Sequence, residues 1–354
     1  MKHVVFLLGW LLLLGGCIER IDLEESLSGE RLLVVDGLIT DADEPYSVKL
    51  TYTSPTLQTY EGDPVVGAEV YITDEEGARA ELLETGNGGE YLTDPSNFRG
   101  QAGKTYQLQV VLPDGNTYVS LPETMPTVAP IDSIYYDLAS QDYQSSLGTI
   151  LQRWGVQFYL NTGSGGPRPA YYQWRWRETY SFIAPLARPM QLVIPLCFRS
   201  GAQARYLNVA STEDLRNDRI IKREINFVAK SGLQLQRRYS LLVKQYSMTE
   251  RAYRFWANVQ QQQTDGGSVF APPPAPIPGN MTSTTDARER VLGYFQASAV
   301  TEKRIFVNRG QVPPGPGGSP GGSPGCVDGD PEAPESCFDC TLLPGTTTEV
   351  PSFW

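Results

Sequence analysis

From Arg31 onward the chain alternates apolar and polar residues in short runs, and Gly, Pro or Asp ends most of them. Leu32-Leu33-Val34-Val35 leads into Asp36-Gly37, which reads as a turn, and Tyr46, Val48 and Leu50 alternate with polar neighbours. Val65 to Thr73 runs into the acidic turn Asp74-Glu75-Glu76-Gly77. Gly88 to Thr93, Lys104 to Val111 and Asn116 to Ser120 follow, the last two parted by Pro113-Asp114-Gly115. A period of two sends alternate side chains to opposite faces, so each run has one face to bury. Short strands at this spacing bury those faces together in a sandwich. The chain is expected to be mainly β.

The order Pro64 to Val70, acidic turn, Gly89-Glu90-Tyr91, Gly103 to Leu108 resembles the immunoglobulin-like domains related to the carboxypeptidase regulatory domain. That resemblance implies an immunoglobulin-like β-sandwich over residues 31–125, and Pro122, Pro126 and Pro130 then mark a boundary. A second β-rich domain is expected over 131–309. Its candidate strands are Ile134 to Tyr136, Trp154 to Leu160, Tyr171 to Tyr180, Gln191 to Ile194, Ile220 to Val228 and Tyr239 to Tyr246, closed by Val291 to Ser298 and Lys303 to Val307. It carries one clear helix. Ser247-Met248-Thr249-Glu250 has the capping-box pattern, and Ala252, Phe255, Trp256 and Val259 recur at helical spacing behind it. Residues 310–325 are almost wholly Pro, Gly and Ser, a linker composition. Residues 326–354 form a cysteine-containing tail.

The N-terminus reads as an export signal. Met1-Lys2-His3 is basic, Val4 to Leu14 is apolar, and Leu14-Gly15-Gly16-Cys17 has the form of a lipobox. Residues 1–16 are thus expected to be removed and Cys17 to be lipidated, with residues 17–30 an acidic tether. Ile18 at the second position favours sorting to the outer membrane over retention at the inner one, and the acidic stretch slightly favours the cell surface over the periplasm. Several acyl chains on one cysteine anchor a protein stably. The net charge is −11, and losing Lys2 with the signal takes it to −12, with no basic patch. Nucleic acid is therefore not an expected partner.

The single histidine, His3, lies in the segment to be removed, which leaves no imidazole for a Ser-His-Asp or Cys-His arrangement. No catalytic residue is assigned, and the chain reads as a non-enzyme without a cofactor. A hydrolase working through two carboxylates is the outlying alternative, because spacing alone does not reveal such pairs. The acidic clusters Asp328-Gly329-Asp330 and Asp74-Glu75-Glu76 lack the twelve-residue calcium-loop pattern, so no metal site is expected. Cys197, Cys326, Cys337 and Cys340 suggest two disulfides with three possible connectivities. If all four pair, at least one bridge ties the tail to the second domain. The rival is a four-thiolate zinc site, and it lacks a second closely spaced pair.

Along Tyr171 to Tyr180, Tyr172, Trp174, Trp176 and Tyr180 fall on one strand face and Gln173, Arg175 and Arg177 on the other. Exposed, the aromatic row Tyr172, Trp174, Trp176 would be a sugar-stacking platform for a stand-alone glycan-binding or adhesive module. Buried, it is a sheet face packed on a core, which carries more weight because such strands are commoner there.

Leu242 to Thr249, Ala252 to Trp256, Gly267 to Phe270, Pro276 to Asn280, Val291 to Phe295, Lys303 to Val307, Cys337 to Cys340 and Pro351 to Trp354 together resemble the outer-membrane lipoproteins carrying the domain of unknown function 4249. The resemblance implies a lipoprotein that serves as accessory or binding subunit to a TonB-dependent transporter, and it assigns no catalytic residues.

Overall fold

The computed structural model describes residues 31–54, 62–145, 147–163, 168–187, 194–202, 207–265, 276–313, 315–317, 321 and 325–354. The expected signal, Cys17 and the tether lie outside the described residues, as does the strand expected at Gln191 apart from Ile194.

The first unit is built from β1 (Leu33–Thr40), β2 (Ser47–Tyr52), β3 (Asp63–Pro64), β4 (Glu69–Asp74), β5 (Arg79–Glu84), β6 (Glu90–Thr93), β7 (Thr105–Val111), β8 (Thr117–Ser120) and β9 (Glu123–Thr124). Period two holds: Tyr106, Leu108 and Val110 of β7 are buried and their neighbours are not. The turns use the expected chemistry. The Asp74 carboxylate accepts from the backbone N–H of Glu76 and Ala78, and Asp114 does the same for Asn116.

Then follow β10 (Ile131–Gln144), β11 (Ile150–Thr162), β12 (Tyr171–Phe182), β13 (Cys197–Ala202), β14 (Asn208–Ser211), β15 (Arg223–Ala229), β16 (Arg238–Met248), helix α1 (Glu250–Asp265), β17 (Met281–Ser283), β18 (Leu292–Ser298), β19 (Val300–Asn308) and β20 (Thr346–Thr347). The first sheet runs β17-β8-β7-β4-β5-β6-β2-β1-β18, with β3 beside β2 and β9 beside β7. Its two layers close on one core holding Val35, Val48, Leu50, Val70, Ile72, Leu108 and Phe295.

Two strands of this sandwich come from far along the chain, so the expected division at residue 131 needs amending. β17 and β18 belong to the first sheet, and β18 pairs parallel with β1, Val35 opposite Gly293. Asp36-Gly37 does not turn the chain either; it lies inside β1. A Cβ on Gly37 would stand 3.1 Å from the Phe295 ring and 3.3 Å from Val48, so the glycine makes room for the strand laid beside it.

The second unit pairs a three-stranded sheet, β10-β11-β15, with a six-stranded one, β19-β16-β12-β13-β20, in which β14 also pairs with β12. Their shared core takes Val156, Phe158, Leu160 and Val228 from the first and Tyr172, Trp174, Trp176, Tyr239 and Leu241 from the second. Only Ala299 separates β18 from β19, so one run of chain crosses from the first sandwich into the second. Ser247 fastens the crossing: its N–H donates to the Ala299 carbonyl, and its hydroxyl accepts from Ala299 N–H and donates to the Pro126 carbonyl. Ser247 is therefore a strand residue, and Thr249 is the helix cap, its hydroxyl accepting from Ala252 N–H. That hydroxyl also donates to Glu123, a carboxylate only 1% exposed that accepts from the Tyr294 hydroxyl too.

The tail docks. Cys197 bonds to Cys340 and Cys326 to Cys337, which fixes the connectivity and leaves no thiolate for zinc. β20 extends the six-stranded sheet, and Trp354 packs edge-on against Phe198 and Phe306 with Arg238 beside its ring. The described part of the Pro/Gly/Ser stretch is also held: buried Lys230 donates to the Gly315 and Pro316 carbonyls and accepts through its own carbonyl from Gly321 N–H.

Candidate functional site

β12 is the centre of the second unit, paired along its length with β16 and at its ends with β13 and β14. Tyr172, Trp174 and Trp176 are all buried against the three-stranded sheet, Trp176 at 5% exposure. The stacking platform is thus absent: a sugar cannot lie on rings buried in one core with Phe158, Ile225 and Val228. The Trp174 indole N–H donates to the Gln245 side chain, which in turn holds the Ala129 carbonyl, so this aromatic helps fix the chain where it enters the second unit.

The same inward row contains a residue that the aromatic pattern conceals. Glu178 stands in phase with Trp176 and Tyr180 and is only half-buried. Its carboxylate accepts from the Tyr239 hydroxyl at 2.9 Å, and that hydroxyl accepts from the Asn226 amide at 3.0 Å, so three strands meet there. Burial pushes the Glu178 pKa up, against the opposing help of the Tyr239 and Asn226 hydrogen bonds and the Arg199 charge. Burial, with Glu178 adding to it, raises the Tyr239 hydroxyl as well.

Glu178 and Trp176 look into a cleft of about 550 Å³. It passes around β15, an edge strand of the three-stranded sheet, and Gln141, Arg153, Gln157, Glu224, Asn226 and Gln234 complete its polar side-chain lining. The Trp176 indole N–H is buried without a hydrogen-bond partner among the described residues. An unfilled donor, a carboxyl that accepts or donates according to its protonation, and several amides suit a small polar ligand. Glu224 is exposed, so the cleft does not hold two buried carboxyls facing each other. Among the described residues no group of three or more His, Cys, Asp or Glu could hold a metal.

A second feature stands at the far end of the three-stranded sheet. β10 and β11 continue beyond Gly155, where β15 stops, as a two-stranded arm exposed on both faces. From Tyr143 to Gln152 the sequence has no charged residue. Leu147 is 91% and Ile150 73% exposed, and Tyr143 lies directly opposite Leu151, both also exposed. The turn satisfies its own backbone: Ser145 N–H donates to the Thr149 carbonyl, Gly148 N–H to the Ser145 carbonyl, and Thr149 N–H to the Ser145 hydroxyl. The sequence signal was legible as an uncharged run flanked by Asp142 and Arg153, but only the arm's exposure distinguishes it from a core hairpin.

The family model for a domain of unknown function, DUF4249, matches residues 18–304, most of the chain and nearly all of both sandwiches. The chain belongs to the DUF4249 family. No curated protein matches it. The DUF4249 region contains the cleft, the arm and the crossing at Ala299, whereas both disulfides draw on cysteines beyond it. Among the described residues no helix is long and apolar enough to cross a membrane.

Proposed function

We propose that this DUF4249 protein is a non-catalytic lipoprotein anchored through Cys17 to the outer membrane, where it serves as accessory or binding subunit of a TonB-dependent transporter. The observation that carries this reading is the β10–β11 arm. Scattered apolar side chains are ordinary on a protein surface, but a cluster at the end of a projecting, uncharged hairpin marks a contact site. A barrel wall in the outer membrane offers the matching apolar surface. Two disulfides support an oxidising compartment, in keeping with export. The lipobox at Leu14 to Cys17 supports the anchor.

The test is affinity purification of the full chain from detergent-solubilised outer membranes, with fatty-acid labelling of Cys17 followed in parallel. A large β-barrel is expected to co-purify with the native chain and to be lost with Leu147→Asp/Ile150→Asp, while labelling persists. Absence of a barrel from the native preparation would refute the transporter role. Absence of label, with the protein recovered free of membranes, would refute the anchor.

A further inference from the structure

The outward face of the six-stranded sheet carries a charged groove of about 450 Å³ that plays no part in the reading above. Its floor is Arg175 and Arg177 of β12, Leu242, Lys244 and Tyr246 of β16, and Glu302 and Arg304 of β19. Glu44 of the first sandwich closes one side and Phe353 of the tail another.

Register puts these charges in two rows across three strands. In one, Arg175 lies directly opposite Lys244, and Lys244 opposite Glu302. In the other, Arg177 and Arg304 flank Leu242. Next-nearest strands lie roughly 10 Å apart, so the two guanidinium groups can reach towards the space between them. Like charges directly opposite each other destabilise a sheet, and Arg175 beside Lys244 is such a pair. Lys244 is paired with Glu44 at 2.8 Å. Arg304 lies over the Phe353 ring at 3.6 Å and donates to the Ser240 hydroxyl. Arg177 has no ion pair or hydrogen bond among the described residues, and Arg175 has only the Tyr246 ring, 5.6 Å from its guanidinium carbon. With Lys244 and Glu44 cancelling, Arg175, Arg177 and Arg304 outnumber Glu302 in a chain whose net charge is −11.

We infer that this groove binds a small anion with at least two negative charges, a dicarboxylate or a phosphate-bearing molecule. Planar guanidinium groups take either oxyanion in two parallel hydrogen bonds. The site is short, closed by Glu44 on one side and Phe353 on another, which suits a small anion better than a longer acidic chain. An anion placed between Arg175 and Arg177 supplies a counter-charge to two exposed guanidinium groups that no carboxylate pairs among the described residues. The inference stands on the groove alone and is independent of the membrane role.

Calorimetric titration of the purified full chain with citrate, glucose 6-phosphate and pentaglutamate tests it. Citrate or glucose 6-phosphate is expected to bind, the preferred one identifying carboxylate or phosphate, with affinity falling as salt rises. Arg175→Gln and Arg177→Gln are each expected to weaken binding about tenfold, the loss of one charge-assisted pair. Arg79→Gln, on the distant first sandwich, is expected to change nothing. Both groove arginines are exposed, and unaltered thermal unfolding of the free variants checks that the fold is retained. Failure of both small anions to bind overturns the inference, as does binding unaffected by Arg177→Gln. Tighter binding of pentaglutamate overturns it in favour of an acidic polypeptide partner.

Discussion

In β12 the inward positions run Tyr172, Trp174, Trp176, Glu178, Tyr180, Phe182, and the carboxyl amid the rings is held by Tyr239 and Asn226. Removing it and leaving these partners buried is costly, whereas an amide of the same shape can still accept from Tyr239. Glu178→Ala is expected to lower stability by about 1–3 kcal/mol, the cost of orphaned buried polar groups, and Glu178→Gln by much less at neutral pH. The pH dependence separates them further. The folded pKa of Glu178 is raised, so below the ordinary carboxylate range its burial costs nothing. The cost appears as pH climbs from that range through the folded value, where the native state must ionise a half-buried group. Glu178 therefore contributes a loss of stability across that window, and Glu178→Gln removes that contribution. Glu123, also raised by burial, supplies the same sign and remains in the variant. Urea unfolding followed from about pH 4 to about pH 7 reads both effects.

At the scale of elements, Thr249 starts α1 and contacts the buried Glu123 with one hydroxyl. Thr249→Ala is expected to cost about 1–2 kcal/mol as a lost cap, and Thr249→Ser to cost little, measured by denaturant unfolding. The sequence reading placed this helix well and its cap two residues early, because Ser247 and Glu250 also fit the capping pattern. Alternation made the local strands of the first sandwich readable for the same reason that it makes them fold: one face of each is apolar. It marked β18 as a strand but carried no sign of its sheet, so that position in the chain assigned Val291 to Ser298 to the second unit, whereas it pairs with β1 in the first. Parallel pairing of β1 with a strand about 260 residues further along leaves no local trace, and so Asp36-Gly37 reads as a turn in the sequence. Likewise the aromatic row of β12 looked the same on paper whether covered or bare. The period of two puts Glu178 on the inward face with Trp176 and Tyr180, but a single carboxyl among rings carries no pattern of its own.

For the whole molecule, the tail is part of the fold and its attachment can be weighed. Cys197–Cys340 closes a loop across a sequence separation of 143 residues, Cys326–Cys337 one of 11. Loop-closure entropy makes the long bridge the more stabilising of the two, where a disulfide typically contributes about 2–4 kcal/mol. The paired change Cys197→Ser/Cys340→Ser is therefore expected to lower the melting temperature more than Cys326→Ser/Cys337→Ser, as calorimetry would show. It is also expected to quicken proteolysis around Trp354, since the tail would then be held only by noncovalent contacts: the β20 pairing and the packing of Trp354 on Phe198, Phe306 and Arg238. The groove on the same sheet face would lose the Phe353 wall when the tail leaves, so anion binding would weaken with it.

The parallel pairing of β1 with β18 governs how tension would travel through the protein. A pull on the start of β1, resisted from the far end of β18 where the chain passes into β19, loads all seven register pairs from Val34 to Thr40 in shear. Ladder hydrogen bonds lie across the strands, so under that geometry they must give way together instead of peeling apart one after another. Whatever grips the second sandwich is thereby tethered to the N-terminal end of the chain through a mechanical clamp.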